Sequence, residues 1–394
     1  MNKSVHTVLL PLLISNYVFG LKIVQLSTGH LRPWFGLIYI LLLWLIYYCL
    51  RAHIIITYFD SNVYVIFIGL PDLTVQLSVL FGMYHNKKFK NCLKKLAIVD
   101  TTLENLGIIT NYRPLRKQII WTVLGWFVIA ISANNMHIIF IKKVMDFNAM
   151  TAIYVSYVMN HCFHINLLED LTIMSIIGYV GLKFDQINEQ LRNMAYNNKY
   201  GMTQTWDNTV LNVRQRQFAK NSSNKWTIWT IIQLHLELRK ISRELDSIFG
   251  VQMTFKMGYY FICLTIDLNN VYNVIFNRSY TNCIVLYSIL VILWFSHNIM
   301  KLLIINLVCE KVSNQANSTK NFLYKISQAM NDVETCENIS QLLLHIKQSP
   351  LRFYGIGLFQ FGYKFIYVFV SSIGTVVVIL IQTYTQSKIL FKDI

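Results

Sequence analysis

The chain has 394 residues, of which 54% are hydrophobic and 14% are charged, whereas a soluble domain carries about 25% charged residues. This composition, with a mean hydropathy of +0.42, excludes an ordinary soluble protein and indicates an integral membrane protein. The net charge of +16 does not indicate nucleic-acid binding, because the basic residues lie in the loops between the apolar segments.

Long apolar runs predict an all-α protein with seven membrane-spanning helices. They cover residues 34–50, 54–82, 119–140, 151–180, 251–275, 282–306 and 356–383. The N-terminus and the loops on its side of the membrane hold 26 of the 35 Lys and Arg residues, and the opposite side holds six, including Arg51. The positive-inside rule therefore predicts a cytoplasmic N-terminus and an extracellular C-terminus. With this orientation Asn277, in the sequon "NRS", is the sole expected glycosylation site.

The 181–250 loop contains a helical packing pattern. Apolar residues recur there at intervals of four and three, at Leu234, Leu238, Ile241, Leu245 and Ile248. A similar pattern follows the sixth span, at Val308, Val312, Thr319, Phe322 and Ile326. We interpret these segments as cytoplasmic extensions of the fifth and sixth spans that form a helical bundle where subunits meet. The alternative is a pair of ordinary amphipathic surface helices.

Polar residues inside the predicted spans are candidates for function, because burying them in lipid is costly. In the fourth span, "YVSYVMNHCFHINLLED" places Tyr154, Tyr157, His161 and His164 three or four residues apart, which predicts one helix face. Further candidates are Asn134, Asn135 and His137 in the third span, Asp267, Asn270 and Tyr272 in the fifth, and Trp294 and His297 in the sixth. Aromatic walls with a few polar groups are typical of a small-molecule pocket. For each residue, helix–helix hydrogen bonding is the alternative, and a metal site at the two histidines is a weaker one.

The remaining polar residues in the spans lie deeper. We expect Asp72, Gln76, Glu169 and Asp170 to pair with neighbouring helices or with Lys256. Lys256, Lys301 and Lys364 lie within or near spans, where lysine side chains can extend towards the membrane surface.

Near the C-terminus, the apolar run of residues 376–381 ends at Gln382. Either Gln382 marks the point where the helix reaches water, or it faces a water-filled pore, because an unpaired amide in lipid is costly. On a helix, Ile379, Gln382 and Gln386 share one face.

The C-terminal stretch "CEKVSNQANSTKNFLYKI…QLLLHIKQSPLRFYGIGLFQFGYKFIYVFVSSIGTVVVILIQT" resembles that of insect gustatory receptors. The family's last span carries Thr-Tyr, five hydrophobic residues and Gln-Phe. Here Thr375 and Gln382 match, while Val376 and Thr383 replace the aromatic residues. The stretches "PLLISNYVFGLK" and "ELRKISRELDSIFG" extend the resemblance over nearly the whole chain.

The resemblance implies a homotetrameric, ligand-gated, non-selective cation channel, related to insect odorant receptors. Residues 1–33 would form a cytoplasmic N-terminal segment, and residues 34–306 six helices with a ligand pocket in their outer half. Residues 307–352 would be cytoplasmic anchor helices, and residues 353–394 the pore-lining helix with a short extracellular C-terminus. Four copies of Ile379 would then close the pore by excluding water, and Gln382, with Gln386 beyond it, would form a polar ring.

The implied function is that of a taste receptor in the plasma membrane of sensory neurons, opened by a bitter or other non-sugar tastant. A sugar-gated receptor of the same family is one alternative, and a metabotropic seven-helix receptor or a transporter is another. No nucleotide-binding loop, Ser/His/Asp set or repeated His box supports an enzyme, a cofactor or a metal site. The expected partners are the small-molecule tastant, membrane lipid and identical or related receptor subunits, with no nucleic acid.

Overall fold

The computed structural model describes residues 5–21, 33–58, 62–201, 210–277, 284–330 and 332–390. These ranges contain ten helices: α1 Val5–Val18, α2 Pro33–Tyr58, α3 Asn62–Tyr84, α4 Asn86–Asn105, α5 Tyr112–Val144, α6 Ala149–Gly201, α7 Val210–Tyr272, α8 Ile284–Ala329, α9 Val333–Gln348 and α10 Tyr363–Leu390. A π-helical turn, Asn273–Asn277, continues α7, and a short antiparallel hairpin pairs β1 Tyr354–Gly355 with β2 Phe359–Gln360. The protein is therefore almost entirely helical, as expected.

Several of these helices are long and apolar enough to cross a membrane. In the described part of the chain, five stretches meet both conditions: Phe35–Tyr58, Tyr112–Val144, Ala149–Tyr196, Val285–Gln328 and Tyr363–Thr383. The other two predicted spans lie in α3 and α7, which are helical throughout the described residues. The span predicted in α7 is less apolar than these five because it includes Gln252, Lys256 and Asp267.

Three helices are much longer than a bilayer is thick. α6 has 53 residues, α7 has 63 and α8 has 46. At a rise of about 1.5 Å per residue they extend for about 80, 95 and 70 Å, whereas the hydrocarbon core of a bilayer is about 30 Å thick. Each helix must therefore project beyond the membrane. We call the assembly of α4, residues 225–250 of α7, residues 307–329 of α8 and α9 the basal bundle.

The core of the basal bundle contains the packing pattern predicted from the sequence. The side chains of Leu234, Leu238, Ile241, Leu245 and Ile248 are all buried. On α8, Val312, Thr319 and Ile326 are buried, and Val308 and Phe322 are half-buried against the same core. The periodic positions therefore form helix–helix contacts within one chain.

The helices α6 and α8 approach each other closely at Gly181. A Cβ atom at this position would lie 2.7 Å from Cγ2 of Val312 and 2.5 Å from Oε1 of Gln315. Only a residue without a side chain allows this contact. Beyond the crossing, Asn188 links the two helices, since its Nδ2 donates to the Gln315 carbonyl at 2.8 Å and its Oδ1 accepts from Thr319 Oγ1 at 2.7 Å.

Hydrogen bonds hold the segment between α9 and α10 against α7 and α8. Asp246 Oδ1 accepts from the Tyr354 N–H at 3.0 Å, and Asn306 Oδ1 accepts from the Gly362 N–H at 3.0 Å. Asn317 makes a reciprocal pair with the backbone of Leu351, at 3.0 and 3.1 Å. These bonds fix the point from which α10 begins.

Several boundaries differ from those predicted. The second span was predicted from residue 54, which lies within α2, whereas α3 begins at Asn62. The first predicted span ends at residue 50, but α2 continues to Tyr58 and contains Arg51, which is 4% exposed. Arg51 therefore lies in a helix and not in a loop, and its burial is explained by an ion pair inside the bundle. The last span was predicted from residue 356, but residues 354–360 form the hairpin and α10 begins at Tyr363. The positive φ angles of Gly357 and Gly362 suit a turn and a sharp entry into the helix.

Candidate functional site

A buried ionic network lies between α6 and α7. Lys256 Nζ lies 2.9 Å from Glu169 Oε2 and 2.6 Å from Asp170 Oδ1, and all three side chains are at most 2% exposed. The Tyr260 hydroxyl also donates to Asp170. The predicted pairing of the two acidic residues with Lys256 is confirmed. The lysine is enclosed and does not extend to the membrane surface, because its carboxylate partners lie within the bundle.

A second ion pair joins α2 to α3. Arg51 Nη1 lies 2.7 Å from Asp72 Oδ1, which also accepts from the Tyr47 hydroxyl at 3.2 Å. Asp72 therefore pairs with a neighbouring helix, which is one of the two predicted outcomes. Both networks satisfy buried charges and fix the packing of the helices around them.

A cluster of polar and aromatic side chains lies where α5, α6 and α8 meet. The ring centroid of Trp294 is 6.4 Å from that of His164, with the planes nearly parallel, and 5.6 Å from that of His297, with the planes nearly perpendicular. Asn134 Oδ1 lies 3.4 Å from His164 Nε2 and accepts from Asn160 Nδ2 at 3.0 Å. Four of the predicted ligand-binding residues, Asn134, His164, Trp294 and His297, are thus brought together. We call these four residues the Trp294 cluster.

Several buried polar atoms at this place have no hydrogen-bond partner. They are Nδ1 of His164, Nε2 of His297 and Oδ1 of Asn298, the residue that follows His297. Buried polar atoms are almost always paired. The unpaired atoms of His164 and His297, whose rings pack against the indole of Trp294, therefore indicate a place that can receive a polar small molecule or water.

Asp267 extends this region from α7. Its Oδ2 accepts from Asn298 Nδ2 at 2.8 Å, so Asn298 connects Asp267 to the α8 residues of the Trp294 cluster. Asn270 lies one turn further along α7 and is half-buried. The two α7 residues therefore lie at the edge of the region and not in its centre.

Of the other predicted residues, His137 lies at the Trp294 cluster, with its Nδ1 3.1 Å from Asn160 Nδ2, whereas three residues on α6 have different surroundings. Tyr154 donates to the Leu50 carbonyl of α2 at 3.0 Å, and Tyr157 is 45% exposed. The ring of His161 packs against Tyr47 at 5.0 Å, on the α2 side of α6. These three residues do not join the Trp294 cluster.

The reason for this separation is the angular step of a helix. Positions three and four residues apart differ by about 60° and 40° around the axis, so residues 154–164 sweep over about 80° in total. In a bundle, an arc of this width borders more than one neighbouring helix. The single face predicted from the spacing is therefore divided between α2 and the junction of α5 with α8.

Sequence reasoning missed three residues at the site. Asn160 and Asn298 complete the hydrogen bonds, and Lys301, which was expected to reach the membrane surface, is 1% exposed with its Nζ 3.4 Å from the Phe163 carbonyl. Their spacing from the predicted residues in the sequence could have identified two of them. Asn160 lies one turn before His164, and Lys301 one turn after His297, on helices that are otherwise apolar. No group of three His, Cys, Asp or Glu residues among those described is placed to hold a metal ion.

The last helix, α10, packs along a single edge. Phe369 and Ile373 are buried, and the Phe369 ring lies 5.6 Å from that of Phe261 on α7. Ile379 is 54% exposed, and Gln382 and Thr375 are exposed too. The helix also includes Gln386, whose side chain lies outside the described residues, as does that of Asn277. The face predicted to line a pore is therefore not covered by the chain itself.

Comparisons with known proteins agree on the type of protein. The family model described as "7tm Chemosensory receptor" matches residues 9–387. The fold is similar to that of the insect olfactory receptor OR5 from Machilis hrabei, with a TM-score of 0.53 and 12% identity over 96% of this chain and 100% of that chain. The structure of OR5 in complex with eugenol matches with a TM-score of 0.52 and the same identity and coverage. A search of curated proteins found no match.

Proposed function

We propose that this chain, which belongs to the 7tm chemosensory receptor family, is a cation channel opened by a small molecule. The exposed face of α10 is the observation that carries this proposal. A helix surrounded only by lipid would gain nothing from an exposed carboxamide at Gln382, whereas a helix that borders water would. Ile379 lies one turn before it, at the position of a hydrophobic constriction.

The pore requires several subunits, because one α10 helix encloses nothing. We propose four chains around a central axis, each contributing the face that carries Ile379 and Gln382. The exposed apolar side chains of α10 would then be covered by the symmetry-related helices and by lipid. The basal bundle would hold the four chains together. A hetero-oligomer of this chain with related receptors is the alternative to a tetramer of identical chains.

The orientation that we propose has seven spans, a cytoplasmic N-terminus and an extracellular C-terminus. The distribution of basic residues supports it, and the difference between the two sides becomes larger when Arg51 is removed from the count of the outer side. The basal bundle is then cytoplasmic, and the Trp294 cluster lies nearer the outside. A glycan at Asn277 and a plasma-membrane location in sensory neurons fit this orientation.

The Trp294 cluster is the ligand site that we propose. The indole ring offers an apolar surface, and His164, His297 and Asn298 offer unpaired polar atoms. A ligand with an apolar body and one or two polar groups suits this combination, which favours a bitter or other non-sugar tastant over a sugar. The complex of OR5 with eugenol supports a small-molecule ligand, in taste or in smell.

A panel of small molecules applied to cells that express this chain alone tests the function. We expect an agonist to produce a cation current within milliseconds, without any soluble second messenger, and in excised membrane patches as well as in whole cells. A response that reaches the cell only through a second messenger and is lost in excised patches would instead indicate a metabotropic receptor. Uptake of the compound without current would indicate a transporter.

A further inference from the structure

The basal bundle contains a cavity of about 630 Å³ between α4, α7 and α9. The residues that line it are Lys88, Asn91, Lys95, Leu236, Arg239, Lys240, Arg243, Glu244, Ser247 and His345. Its volume lies in the range of small-molecule sites, which is roughly 300–1,000 Å³. It is separate from the Trp294 cluster and from the exposed face of α10, so the proposed function assigns it no role.

The charge of this cavity is strongly positive. Five of its ten lining residues are Lys or Arg, and its one carboxylate is Glu244. Oε1 of Glu244 is already paired with Lys95 Nζ at 2.5 Å. The side chains of Lys88 and Lys240 are exposed at the rim. The cavity therefore holds several positive charges beyond those that its own carboxylate balances.

Arg239 provides the most specific feature, because its side chain is buried but only partly paired. The residue is 1% exposed, and one of its nitrogens, Nη2, donates to the Ser349 carbonyl. Its Nε and Nη1 atoms have no hydrogen-bond partner. A buried guanidinium with open donors costs free energy until an anion accepts from it. The planar arrangement of these donors suits two oxygens of one phosphate group.

The ionisation of nearby groups agrees with this description. Burial, followed by the charge of Arg243, lowers the pKa of Arg239 to about 10. The pKa of His345 is also lowered, first by burial and then by Arg239 and Arg243. Burial and the nearby arginine charges therefore disfavour the cationic forms of Arg239 and His345, whereas the hydrogen bond to Glu244 raises the pKa of Lys95.

The position of the cavity is close to the membrane. Lys88 lies one turn after the end of α3, and Ser247 lies one turn before residue 251, where the fifth span is predicted to begin. Two of the lining residues also contact the segment that leads to α10. Arg239 donates to the Ser349 carbonyl, and Arg243 donates to the Ser349 hydroxyl. An anion in the cavity would thus contact the base of the membrane domain and the support of the last helix.

We propose that this cavity binds a small molecule with several phosphate groups. The same chemistry is offered by a soluble inositol polyphosphate and by the headgroup of a phosphoinositide lipid. Arg239 binds the most deeply placed phosphate, while Lys88 and Lys240 bind those nearer the rim. The bound anion links α4 and α7 to the segment that precedes α10.

Binding to the purified full-length protein in detergent tests the proposal, with inositol hexakisphosphate as the probe. We expect saturable binding of one molecule per chain and a rise in the melting temperature, since a ligand stabilises the state that binds it. The variant with Lys88→Gln and Lys240→Gln should weaken binding at least tenfold, and Arg239→Gln should do the same. Because the rim lysines are exposed, the first variant tests the site even if Arg239→Gln does not fold.

The matched control is the variant with Lys320→Gln and Lys325→Gln. It removes the same charge from exposed positions on α8 that do not line the cavity. We expect its affinity to stay within twofold of the wild-type value. An equal loss of affinity in the control and in the rim variant would mean non-specific attraction to a basic protein and would overturn the proposal.

Nanodiscs with and without phosphatidylinositol 4,5-bisphosphate distinguish the two sources. A rise in melting temperature in the lipid-containing nanodiscs that the rim variant abolishes would assign the site to a lipid headgroup. Binding of inositol hexakisphosphate alone would assign it to a soluble polyphosphate. Absence of binding in both experiments would show that the cavity is not a phosphate site, as would a structure of the assembly with carboxylates of a second chain filling it.

Discussion

Lys256 illustrates how single residues stabilise this membrane bundle. It lies between Glu169 and Asp170 with all three side chains almost completely buried, so removal of the lysine would leave two carboxylates without a counter-charge. Breaking a buried pair in this way costs about 3–5 kcal/mol. From sequence alone, Lys256 was one of two expected kinds of partner for the acidic pair, because isolated charges in apolar helices need partners.

Other residues had no such signal in the sequence. Arg51 lies between two apolar runs, and the same pattern is produced by a loop and by a helix with an internal ion pair. Only the packing of α2 against α3 shows which applies, because Asp72 is 21 residues away in the chain. The burial of Arg239 also depends on contacts between distant residues. The basic residues of the 181–250 segment therefore predicted the orientation in the membrane, but they did not predict that Arg239 is buried.

Asp246 gives a prediction about pH at the segment that supports α10. Burial raises the pKa of its carboxyl from 3.8 to about 6, although the Tyr354 N–H opposes this shift. Between these two values the unfolded chain is ionised and the folded chain is not, so stability falls as the pH rises through them. Asp246→Asn keeps an oxygen acceptor without this cost. We expect it to raise the melting temperature relative to wild type more at about pH 7.5 than at about pH 4.

Asp332 is the control for this measurement, because its shift has the opposite sign. Its pKa is lowered, since Thr335 donates to the carboxylate at the start of α9. Its contribution to stability is therefore present at neutral pH and lost as the pH falls. Asp332→Asn should lower the melting temperature at about pH 7.5 and at about pH 4 alike, and have less effect only at about pH 2, below the unfolded value. A change of the melting temperature in the same direction for both variants at about pH 7.5 would contradict these assignments.

Trp294 gives a prediction about ligand sensitivity. Trp294→Ala removes the indole ring between His164 and His297, so the agonist should lose its apolar contact. We expect the half-maximal agonist concentration to rise at least about tenfold, which equals about 1.4 kcal/mol. Tyr157→Ala, at an exposed position on α6, should change it less than about twofold. Surface expression of both variants is measured in parallel, and equal sensitivity of the two would place the ligand site elsewhere.

Among the elements, the crossing of α6 and α8 offers a stability test with a close control. Gly181→Ala places a Cβ atom 2.7 Å from Val312 Cγ2, and a β-branched side chain has little freedom to move away. Such overpacking costs about 1–3 kcal/mol. At Gly178, one turn earlier, a Cβ atom would meet only Val308 Cγ1, at 4.0 Å. Gly178→Ala should therefore gain up to about 1 kcal/mol from its better helix propensity.

Thermal unfolding of the two variants in detergent provides the comparison. A lower melting temperature for Gly181→Ala together with an unchanged or higher one for Gly178→Ala would support the close approach. Equal melting temperatures would mean that the two helices are further apart at this point than the structure shows.

At the scale of the elements, the sequence predicted which helix faces pack together, but it did not predict where α10 begins. The seam from Leu234 to Ile248 follows from helical periodicity, and these residues are buried. The start of α10 did not follow from apolarity, because Ile356, Leu358 and Phe359 continue the apolar run upstream. The hairpin there depends on contacts with residues that are distant in the chain, such as Asp246 and Asn306.

At the scale of the whole molecule, the orientation in the membrane is testable with two epitope tags. We expect the long α6–α7 connection to be cytoplasmic because it is rich in basic residues, and the C-terminus to be extracellular because the predicted number of spans is odd. A tag after Ile394 should be stained on intact cells, and a tag inserted after Gly201 only after permeabilisation. The reverse pattern would contradict the orientation, and staining of both tags on one side would contradict the number of spans.

We propose that α10 lines a cation pore closed at Ile379, and the resting current tests this proposal without knowledge of the ligand. Ile379→Ser would let water enter the ring of four side chains. The control is Val370→Ser, a β-branched residue that is 56% exposed, compared with 54% for Ile379, and that lies about half a turn round the helix.

Whole-cell currents at fixed voltage, recorded for channels with equal surface expression, give the answer. We expect a constitutive cation current for Ile379→Ser and none for Val370→Ser. In the open channel, Gln382→Ala should shift the reversal potentials for Na⁺, K⁺ and Ca²⁺, because the carboxamides replace part of the ions' hydration. A silent Ile379→Ser channel, together with unaltered permeation in Gln382→Ala, would mean that this face of α10 contacts lipid and does not line a pore.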